Sequence, residues 1–289
     1  MTNPANSLSP LLSLKEIAPN IFEAPSVNPG WNRVYGGQVI AQAILAANQT
    51  AQEGKTCHSC HCYFLRPGNP DAPINYKVNN VREGRSFQTQ SVEASQAGTL
   101  IFTMSASFHK TEPGPEHQTE MGDIPDPDDL PTITELLEKH ETNLPKAAKN
   151  YFTRERPFEL RPLNINRYLD PKPSKPAQAF WLKATPAFEN NPVIHQAALG
   201  YASDFTLLDT ALIAHGKLIF DPSLMLASLD HSLWFHRPLN VNEWILYKQT
   251  SSNAFGARAL CHGQFFTRHG TLIASAAQEG LTRPVRRPA

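Results

Sequence analysis

The sequence carries no net charge and no long apolar run. Its 289 residues hold 26 basic and 26 acidic side chains, which cancel to a formal charge of zero. Binding to nucleic acid or to an anionic membrane surface needs an excess of basic charge, so neither partner is expected. No apolar stretch reaches the roughly 18 residues that a membrane-spanning helix requires. A hydrophobic content of 40% and a charged content of 18% instead indicate a globular protein of one large or two ordinary domains.

Cysteine is also scarce. The chain has four, namely Cys57, Cys60, Cys62 and Cys261. The run from Cys57 to Cys62 suggests a metal site, but tetrahedral zinc usually draws on two separated ligand pairs and no second pair is present. Alternation along a strand places Cys57 with His61 on one face, and Cys60 and Cys62 with His58 on the other. We therefore predict buried free thiols and no metal.

Targeting signals are missing at both ends of the sequence. The first residues lack the charged and apolar blocks of a signal peptide, and the last residues lack a peroxisomal Ser-Lys-Leu ending. The expectation is a cytoplasmic protein.

The sequence does contain an internal duplication. Phe64-Leu-Arg-Pro67 returns 171 residues later as Phe235-His-Arg-Pro238, and Gly98-Thr-Leu-Ile101 returns 172 residues later as Gly270-Thr-Leu-Ile273. A shared offset over this span predicts two similar structural units. The expected division is a first repeat over 1–110, a Pro- and acid-rich linker with a connecting helix over 111–154, and a second repeat over 155–289.

Each repeat is predicted to be one helix followed by antiparallel strands. The apolar spacing from Gly36 to Ala47 is typical of a buried helix, and Tyr201–Ala214 is its expected counterpart. A connecting helix is expected at Ile133–His140. Period-two patterns predict the strands His58–Arg66, Ile74–Val81, Ser86–Ser95, Leu100–Phe108, Gln178–Ala184, Ala227–Phe235, Trp244–Thr250, Ala257–Phe266 and Leu272–Gln278. The fold class is α+β, and the edges of the two sheets are expected to pair.

Ordered motifs in both repeats resemble the acyl-CoA thioesterase II family. They are Val34-Tyr-Gly-Gly-Gln-Val-Ile-Ala-Gln-Ala43, Tyr63-Phe-Leu-Arg-Pro-Gly68, Arg82-Glu-Gly-Arg-Ser-Phe87, Gly200-Tyr-Ala-Ser-Asp204, Leu229-Asp-His-Ser-Leu-Trp-Phe-His-Arg-Pro238 and Gln278-Glu-Gly280. The resemblance implies a double hotdog fold, with two sheets wrapped around central helices and joined into one continuous sheet. It also implies hydrolysis of fatty acyl-CoA to a free fatty acid and coenzyme A, without a cofactor, by a homo-oligomer (dimer or tetramer).

The resemblance further implies a catalytic trio in the second repeat. The family Asp, hydroxyl and Gln fall on Asp204, Ser228 and Gln278. Ser228 stands where other members carry Thr, which keeps the hydroxyl and removes a methyl group. Candidates for binding coenzyme A are the basic side chains Arg66, Arg85, Arg237 and Arg258, and the backbone at Gly36 and Gly37 is a candidate oxyanion site.

The residues alone leave structural roles open for the trio. Gln278 falls on an apolar strand face, in the slot that Ala106 holds in the first repeat, and a buried amide there could be satisfied by backbone alone. Asp204 opens the predicted helix Tyr201–Ala214 and could serve as its N-cap. Cys57 stands 171 residues before Ser228, so the first repeat has a thiol at the place where the second repeat has this hydroxyl.

Three other functions compete with the thioesterase interpretation. A Ser–Asp–His triad of Ser228, Asp230 and His231 is disfavoured because alternation separates His231 from the other two. A hotdog hydratase would need a His near Asp204 on its helix, and His215 lies three turns away. A non-catalytic acyl-CoA-binding protein would not need the three polar residues.

Overall fold

The computed structural model describes residues 8–27, 33–139, 149 and 156–285. The helices in this part of the chain are α1 (Leu8–Leu11), α2 (Gly36–Gln49), α3 (Ile133–Lys139), α4 (Asn166–Leu169), α5 (Pro192–Ser203) and α6 (Asp209–Leu212). The strands are β1 (Lys15–Ala18), β2 (Ile21–Ala24), β3 (Thr56–Phe64), β4 (Ile74–Glu83), β5 (Phe87–Gln96), β6 (Thr99–His109), β7 (Phe158–Pro162), β8 (Ala177–Ala184), β9 (Leu224–Ser228), β10 (Asp230–Phe235), β11 (Ile245–Phe255), β12 (Arg258–Thr267) and β13 (Leu272–Pro284).

The strands form one antiparallel sheet in which equivalent strands of the two repeats follow one another in opposite orders on either side of the centre. It runs β1-β2-β4-β5-β6-β3 through the first repeat and continues β10-β13-β12-β11-β8-β7 through the second, with β9 added beside β13. Each half wraps around helices, so the fold is a double hotdog and the predicted fold class is confirmed. None of the helices in the described ranges is long and apolar enough to cross a bilayer.

A pseudo-twofold axis passes through the centre of the sheet. There β3 pairs with β10 in antiparallel register, and His61 lies opposite Ser232. These two residues are also related by the 171-residue repeat offset. His61 Nδ1 and Ser232 Oγ are 3.0 Å apart, within hydrogen-bond distance. The joint between the repeats is therefore a continuous ladder, and the two halves lie antiparallel to each other.

Helix α2 is buried almost all round, as its apolar spacing predicts. Its residues from Gly37 to Ala47 are inaccessible to solvent, and it contacts β3, β4, β5 and β6 on one side and α5 on the other. Close contact with α5 depends on Gly200, where a Cβ atom would lie 2.8 Å from Ile44 Cδ1. The helices thus form the core inside the curved sheet.

The counterpart helix differs from its prediction. The observed helix spans Pro192–Ser203, whereas the predicted helix was Tyr201–Ala214. The observed helix therefore ends close to the point where the predicted one begins. The Asn191 side chain accepts a hydrogen bond from the Val193 N–H, and Pro192 occupies the first turn, a start signal that is visible in the sequence. The chain then turns through Thr206, whose φ of 56° cannot continue a helix. A second short helix, α6, begins only at Asp209.

Several strand predictions also need correction. The predicted strand Ala227–Phe235 is two strands, β9 and β10, interrupted at Leu229. Three short strands were missed, β1, β2 and β7, all at or next to the two edges of the sheet. Short strands of four or five residues give too few positions for a period-two pattern to stand out.

The predicted strand faces are wrong for Cys57 and His58 of β3. A bulge places His58 outside the ladder between Cys57 and Ser59, and a bulge reverses the alternation beyond it. Cys57 therefore lies buried on the same side as Cys60 and Cys62. All four cysteines are free and buried, and burial raises the pKa of the Cys60 thiol to about 12.

The linker covers the outer face of the second half of the sheet. Its extended chain brings Met121, Ile124 and Leu130 against a second small core of Trp181, Trp244, Leu246, Phe266 and Leu272. Trp181 Nε1 donates to the Pro125 carbonyl at 2.9 Å, and Arg268 pairs with Asp126. The linker is thus a packed part of the fold. Of the predicted connecting helix, residues 133–139 are helical and His140 lies outside the described residues.

A glycine in β12 should be sensitive to a single added methyl group. A Cβ atom at Gly263 would lie 2.4 Å from Tyr247 Cε2, and the Tyr247 ring cannot retreat because it stacks on Phe265 at 3.9 Å. We expect Gly263→Ala to lower the free energy of unfolding by about 1–3 kcal/mol, measured by urea denaturation. Gly114→Ala is the control, since nothing lies within 4 Å of its added Cβ. Equal stability of the two variants would contradict this account.

Candidate active site

The structure brings Asp204, Ser228 and Gln278 into one hydrogen-bonded group. Gln278 Nε2 donates to Asp204 Oδ1 at 2.7 Å and to Ser228 Oγ at 3.1 Å. Ser228 Oγ lies 3.5 Å from Asp204 Oδ1, which is long for a hydroxyl donor. The hydroxyl proton is therefore weakly held and can turn toward a third partner.

Three separate elements of the second repeat supply these side chains. Asp204 is the C-cap of α5, Ser228 is the last residue of β9, and Gln278 lies on the inward face of β13 with 1% of its surface exposed. Strand β9 pairs with β13 so that Ser228 lies opposite Gly280. The pairing of β9 with β13 thus brings the Ser228 hydroxyl to Gln278.

The amide of Gln278 has a fixed orientation. A carboxylate at Asp204 only accepts hydrogen bonds, so the amide group that faces it must be the NH₂. The carbonyl Oε1 of Gln278 is then buried with no hydrogen-bond partner among the described residues. A buried acceptor without a partner is costly, which marks this side of the amide as a place for a polar ligand.

The first repeat also contributes to this group. The backbone N–H of Gly37, in the first turn of α2, donates to Asp204 Oδ2 at 3.1 Å. A Cβ atom at Gly37 would lie 2.2 Å from the Tyr201 carbonyl oxygen, and one at Gly36 would lie 2.8 Å from Asp204 Oδ2. The glycines therefore let the positive end of one helix reach the carboxylate at the end of the other.

Two sequence-based roles change as a result. Asp204 is not an N-cap, because α5 ends at this residue instead of beginning near it. The Gly37 N–H is already engaged by Asp204, so it does not serve as an oxyanion donor in this conformation. The prediction that Asp204 opens a helix of its own repeat was wrong, and the helix start that it contacts is that of α2 in the other repeat.

Burial raises the pKa of Asp204 to about 6. The main cause is desolvation, which disfavours the charged carboxylate. The hydrogen bonds from Gln278, Gly37 and Ser228 and the charge of Arg33 lower the pKa and offset part of this shift. A carboxylate in this range is ionised at neutral pH and still basic enough to accept a proton.

The matching place in the first repeat has lost each of these groups. Thr50 is the C-cap of α2, as Asp204 is of α5. Cys57 and Ala106 stand at the repeat offsets of Ser228 and Gln278. There Gln90, from the neighbouring strand β5, donates to the Thr50 hydroxyl and carbonyl. The first repeat therefore closes the end of its helix with the neutral groups of Thr50 and Gln90, where the second repeat has the carboxylate of Asp204.

Nearby histidines do not complete a triad or a hydratase pair. His231 is buried and its Nε2 lies 2.9 Å from Ser203 Oγ, while Asp230 accepts from the Glu279 N–H. His195 was missed because α5 begins earlier than predicted. It lies nine residues before Asp204, which turns its side chain about 180° away around the helix.

The four arginine candidates have different surroundings. Arg66 and Arg237 occupy matching positions, and each donates to a strand carbonyl, of Leu100 and Leu272 respectively. Arg258 forms an ion pair with Glu279, the residue that follows Gln278. Arg85 is exposed in the turn between β4 and β5. Because side chains alternate along β13, Glu279 and its partner Arg258 lie on the opposite face of the strand from Gln278.

Two buried side chains of β11 were absent from the predicted site. Tyr247 and Gln249 bond to the backbone on either side of Asp204. The repeat carried a signal for Gln249, since the residue 171 positions earlier is Val78 and a buried amide has again replaced an apolar group.

Fold and site together define a double hotdog protein whose second repeat holds a hydrogen-bonded carboxylate, hydroxyl and amide. Profiles described as acyl-CoA thioesterase and acyl-CoA thioesterase N-terminal domain match residues 147–281 and 25–109. The acyl-CoA thioesterase 2 of Haemophilus influenzae is 41% identical over 98% of this chain and 99% of its own length. The chain belongs to the acyl-CoA thioesterase family.

Two further relatives support this assignment. The human acyl-coenzyme A thioesterase 8 is 35% identical over 94% of this chain and 88% of its own length. The crystal structure of the acyl-CoA thioesterase II TesB2 from Mycobacterium marinum superposes with a TM-score of 0.79 at 35% identity, covering 96% of this chain and 99% of that one.

The raised pKa of Asp204 predicts a pH-dependent stability difference. The ordinary value is 3.8 and the folded value about 6, so the folded state binds this proton more tightly and stability falls as pH rises between them. Relative to the unchanged protein, Asp204→Asn should gain about 1–2 kcal/mol of unfolding free energy between pH 4 and 7.

The control for this prediction has the opposite sign. Hydrogen bonds from Lys217 and Ser223 lower the pKa of Asp221 to about 2, so its contribution to stability is present above pH 4 and lost as pH falls toward 2. Denaturant titrations of Asp204→Asn and Asp221→Asn across pH should diverge in these directions. A pH-independent difference for Asp204→Asn would refute the raised pKa.

Proposed function

We propose that the protein hydrolyses fatty acyl-CoA thioesters to a free fatty acid and coenzyme A, with Asp204, Ser228 and Gln278 as its catalytic residues. Membership of the acyl-CoA thioesterase family supports the reaction class. The observation that carries the choice of residues is the hydrogen-bonded group of a half-buried carboxylate, a hydroxyl and an amide.

In this proposal the three side chains hold one water molecule. The unpartnered Oε1 of Gln278 accepts one of its protons, and Asp204 accepts the other. Ser228 turns its hydroxyl toward the water oxygen, which its loose 3.5 Å contact with Asp204 allows. Holding the water in one orientation removes much of the entropic cost of the attack.

The chemical step then uses these groups in turn. Asp204 takes a proton as the water oxygen bonds to the thioester carbonyl carbon, and the carbonyl becomes an oxyanion. The oxyanion collapses, the carbon–sulfur bond breaks, and the thiolate of coenzyme A leaves and takes the proton that Asp204 holds, which returns Asp204 to its carboxylate form. The pKa of Asp204 near 6 lets the residue begin each cycle ionised at neutral pH.

The activity test follows thiol release from acyl-CoA of several chain lengths. We expect Asp204→Asn to lower kcat by at least about 100-fold with the fold intact, because general-base catalysis contributes that much or more. Ser228→Thr should retain activity, since the hydroxyl remains. Gln278→Ala, which copies Ala106 of the first repeat, should be severely impaired. Near-normal turnover by Asp204→Asn would overturn the assignment.

The same assay separates the competing functions. Saturable binding of acyl-CoA with no thiol released would favour a non-catalytic binding protein. Hydration of crotonyl-CoA with the thioester intact would favour a hydratase. A covalent acyl-enzyme, trapped on Ser228 and lost in Ser228→Ala, would favour a serine nucleophile.

The pH dependence of the reaction should follow Asp204. The base must be ionised, so we expect kcat/KM to fall as pH drops through about 6, the pKa of this carboxyl. Arg33 lowers that pKa by its charge, so Arg33→Gln should move the acid limb to higher pH. An acid limb that stays in place in this variant, or lies near the ordinary value of 3.8, would contradict the role of Asp204.

Assembly into dimers or tetramers and residence in the cytoplasm stay predictions. The same holds for coenzyme A binding by the arginine candidates Arg66, Arg85, Arg237 and Arg258.

A further inference from the structure

We infer that Tyr247 and Gln249 of β11 are positioning residues that hold the Asp204 carboxylate in register with Gln278 and Ser228. The inference rests on the proposed function, because it assigns to these residues the placement of the base. It adds contacts to the backbone carbonyls of Ser203 and Phe205, on either side of Asp204, that no part of the catalytic trio provides.

Tyr247 holds the residue before Asp204. Its hydroxyl donates to the Ser203 carbonyl at 2.6 Å, and the side chain is fully buried. Ser203 is the last residue of α5, so its carbonyl has no partner within the helix. Stacking on Phe265 at 3.9 Å fixes the ring, which makes the hydroxyl a rigid anchor.

Gln249 holds the residue after Asp204. Its Nε2 donates to the Phe205 carbonyl at 2.8 Å. Its Oε1 accepts from Thr206 Oγ1 at 3.0 Å and from Thr210 Oγ1 at 2.9 Å. Because side chains alternate along a strand, Tyr247 and Gln249 point inward together. Strand β11 thus forms hydrogen bonds to the backbone on both sides of Asp204.

A second layer supports Gln249. Gln178 of β8 donates to Gln249 Oε1 at 2.8 Å and to the Thr206 carbonyl at 3.1 Å. Arg167 donates to Gln178 Oε1 at 2.7 Å and pairs with the buried Asp209 at 2.9 Å. Every member of this chain of contacts bonds to its neighbours, which favours a single arrangement of the turn.

The turn needs this support because its backbone is not relaxed. Thr206 has a φ of 56°, a region that a β-branched residue rarely adopts. Such a residue keeps its conformation only when the surrounding structure fixes it. Asp204 lies between the end of α5 and this strained turn. Without the contacts from β11, the backbone at Asp204 would be free to shift.

The internal repeat supplies a natural comparison. Tyr76 matches Tyr247 and Val78 matches Gln249 at the offset of 171. In the first repeat the Tyr76 hydroxyl donates to Gln42 Oε1 at 2.7 Å, within α2, and Val78 is apolar and buried. The amide at 249 therefore occurs in the repeat that has Asp204 at its helix end.

The test compares Tyr247→Phe with Tyr76→Phe. Each variant removes one buried hydroxyl at the matching place, so the two should lose similar stability. We expect Tyr247→Phe to lower kcat by about 10-fold or more with little change in KM, since small displacements of a catalytic group are costly. Tyr76→Phe should leave kcat unchanged. Gln249→Val, which copies Val78, should act like Tyr247→Phe if it folds.

Two further measurements separate positioning from general loss of structure. In Tyr247→Phe the Asp204–Gln278 hydrogen bond should weaken, which raises the pKa of Asp204 and moves the acid limb of kcat/KM upward. Charge effects link Asp204 to Arg33, to Cys62 and to Tyr247 itself. Arg33 and Cys62 are not altered, and because burial raises the pKa of Tyr247, its hydroxyl carries no charge near pH 6. In an Asp204→Asn background, Tyr247→Phe should no longer lower the residual rate.

The outcomes are distinct for the two proposals. High activity in Asp204→Asn would overturn the proposed function, and the positioning role with it. An inactive Asp204→Asn beside a Tyr247→Phe that matches Tyr76→Phe in kcat and pH profile would overturn the positioning role alone.

Discussion

The antiparallel ladder between β3 and β10 is the constraint on which the rest of the molecule depends. It places His61 opposite Ser232 and so sets a twofold relation between the repeats. That relation lays α2 against α5 in opposite directions and brings the start of one helix to the end of the other, where the Gly37 N–H meets Asp204. A register shift in this ladder would flip inward residues outward and separate the two helix ends.

Within this symmetric frame, the candidate site is a local departure from symmetry. At the helix end, Asp204 stands where the first repeat has Thr50, and Ser228 and Gln278 stand where it has Cys57 and Ala106. At each of these places the second repeat has a group that forms stronger hydrogen bonds or, in the case of Asp204, can also accept a proton. The fold tolerates these polar groups because they bond to one another and to the backbone, which limits the cost of burying them.

Much of this could be predicted from the sequence, and the misses have physical causes. The strand patterns, the buried helix α2 and the inward face of Gln278 follow from periodicity. Helix α5 was misplaced because an apolar run continues across the strained turn at Thr206, and periodicity does not register a change in φ. The bulge in β3 exchanged two faces for the same reason. The contact from Gly37 is a tertiary one made by backbone, so no side-chain pattern could indicate it.

The difference between Asp204 at one helix end and Thr50 at the equivalent helix end of the other repeat has an evolutionary consequence. In a homodimer of single units, one gene specifies both copies, and any substitution appears at both places at once. Two carboxylates would then be buried, or none. Joining the copies in one chain lets each drift separately, so one half can specialise in chemistry while the other keeps only what supports it. A backbone amide at Gly37 still ties them together, and the half without a carboxylate cannot be discarded.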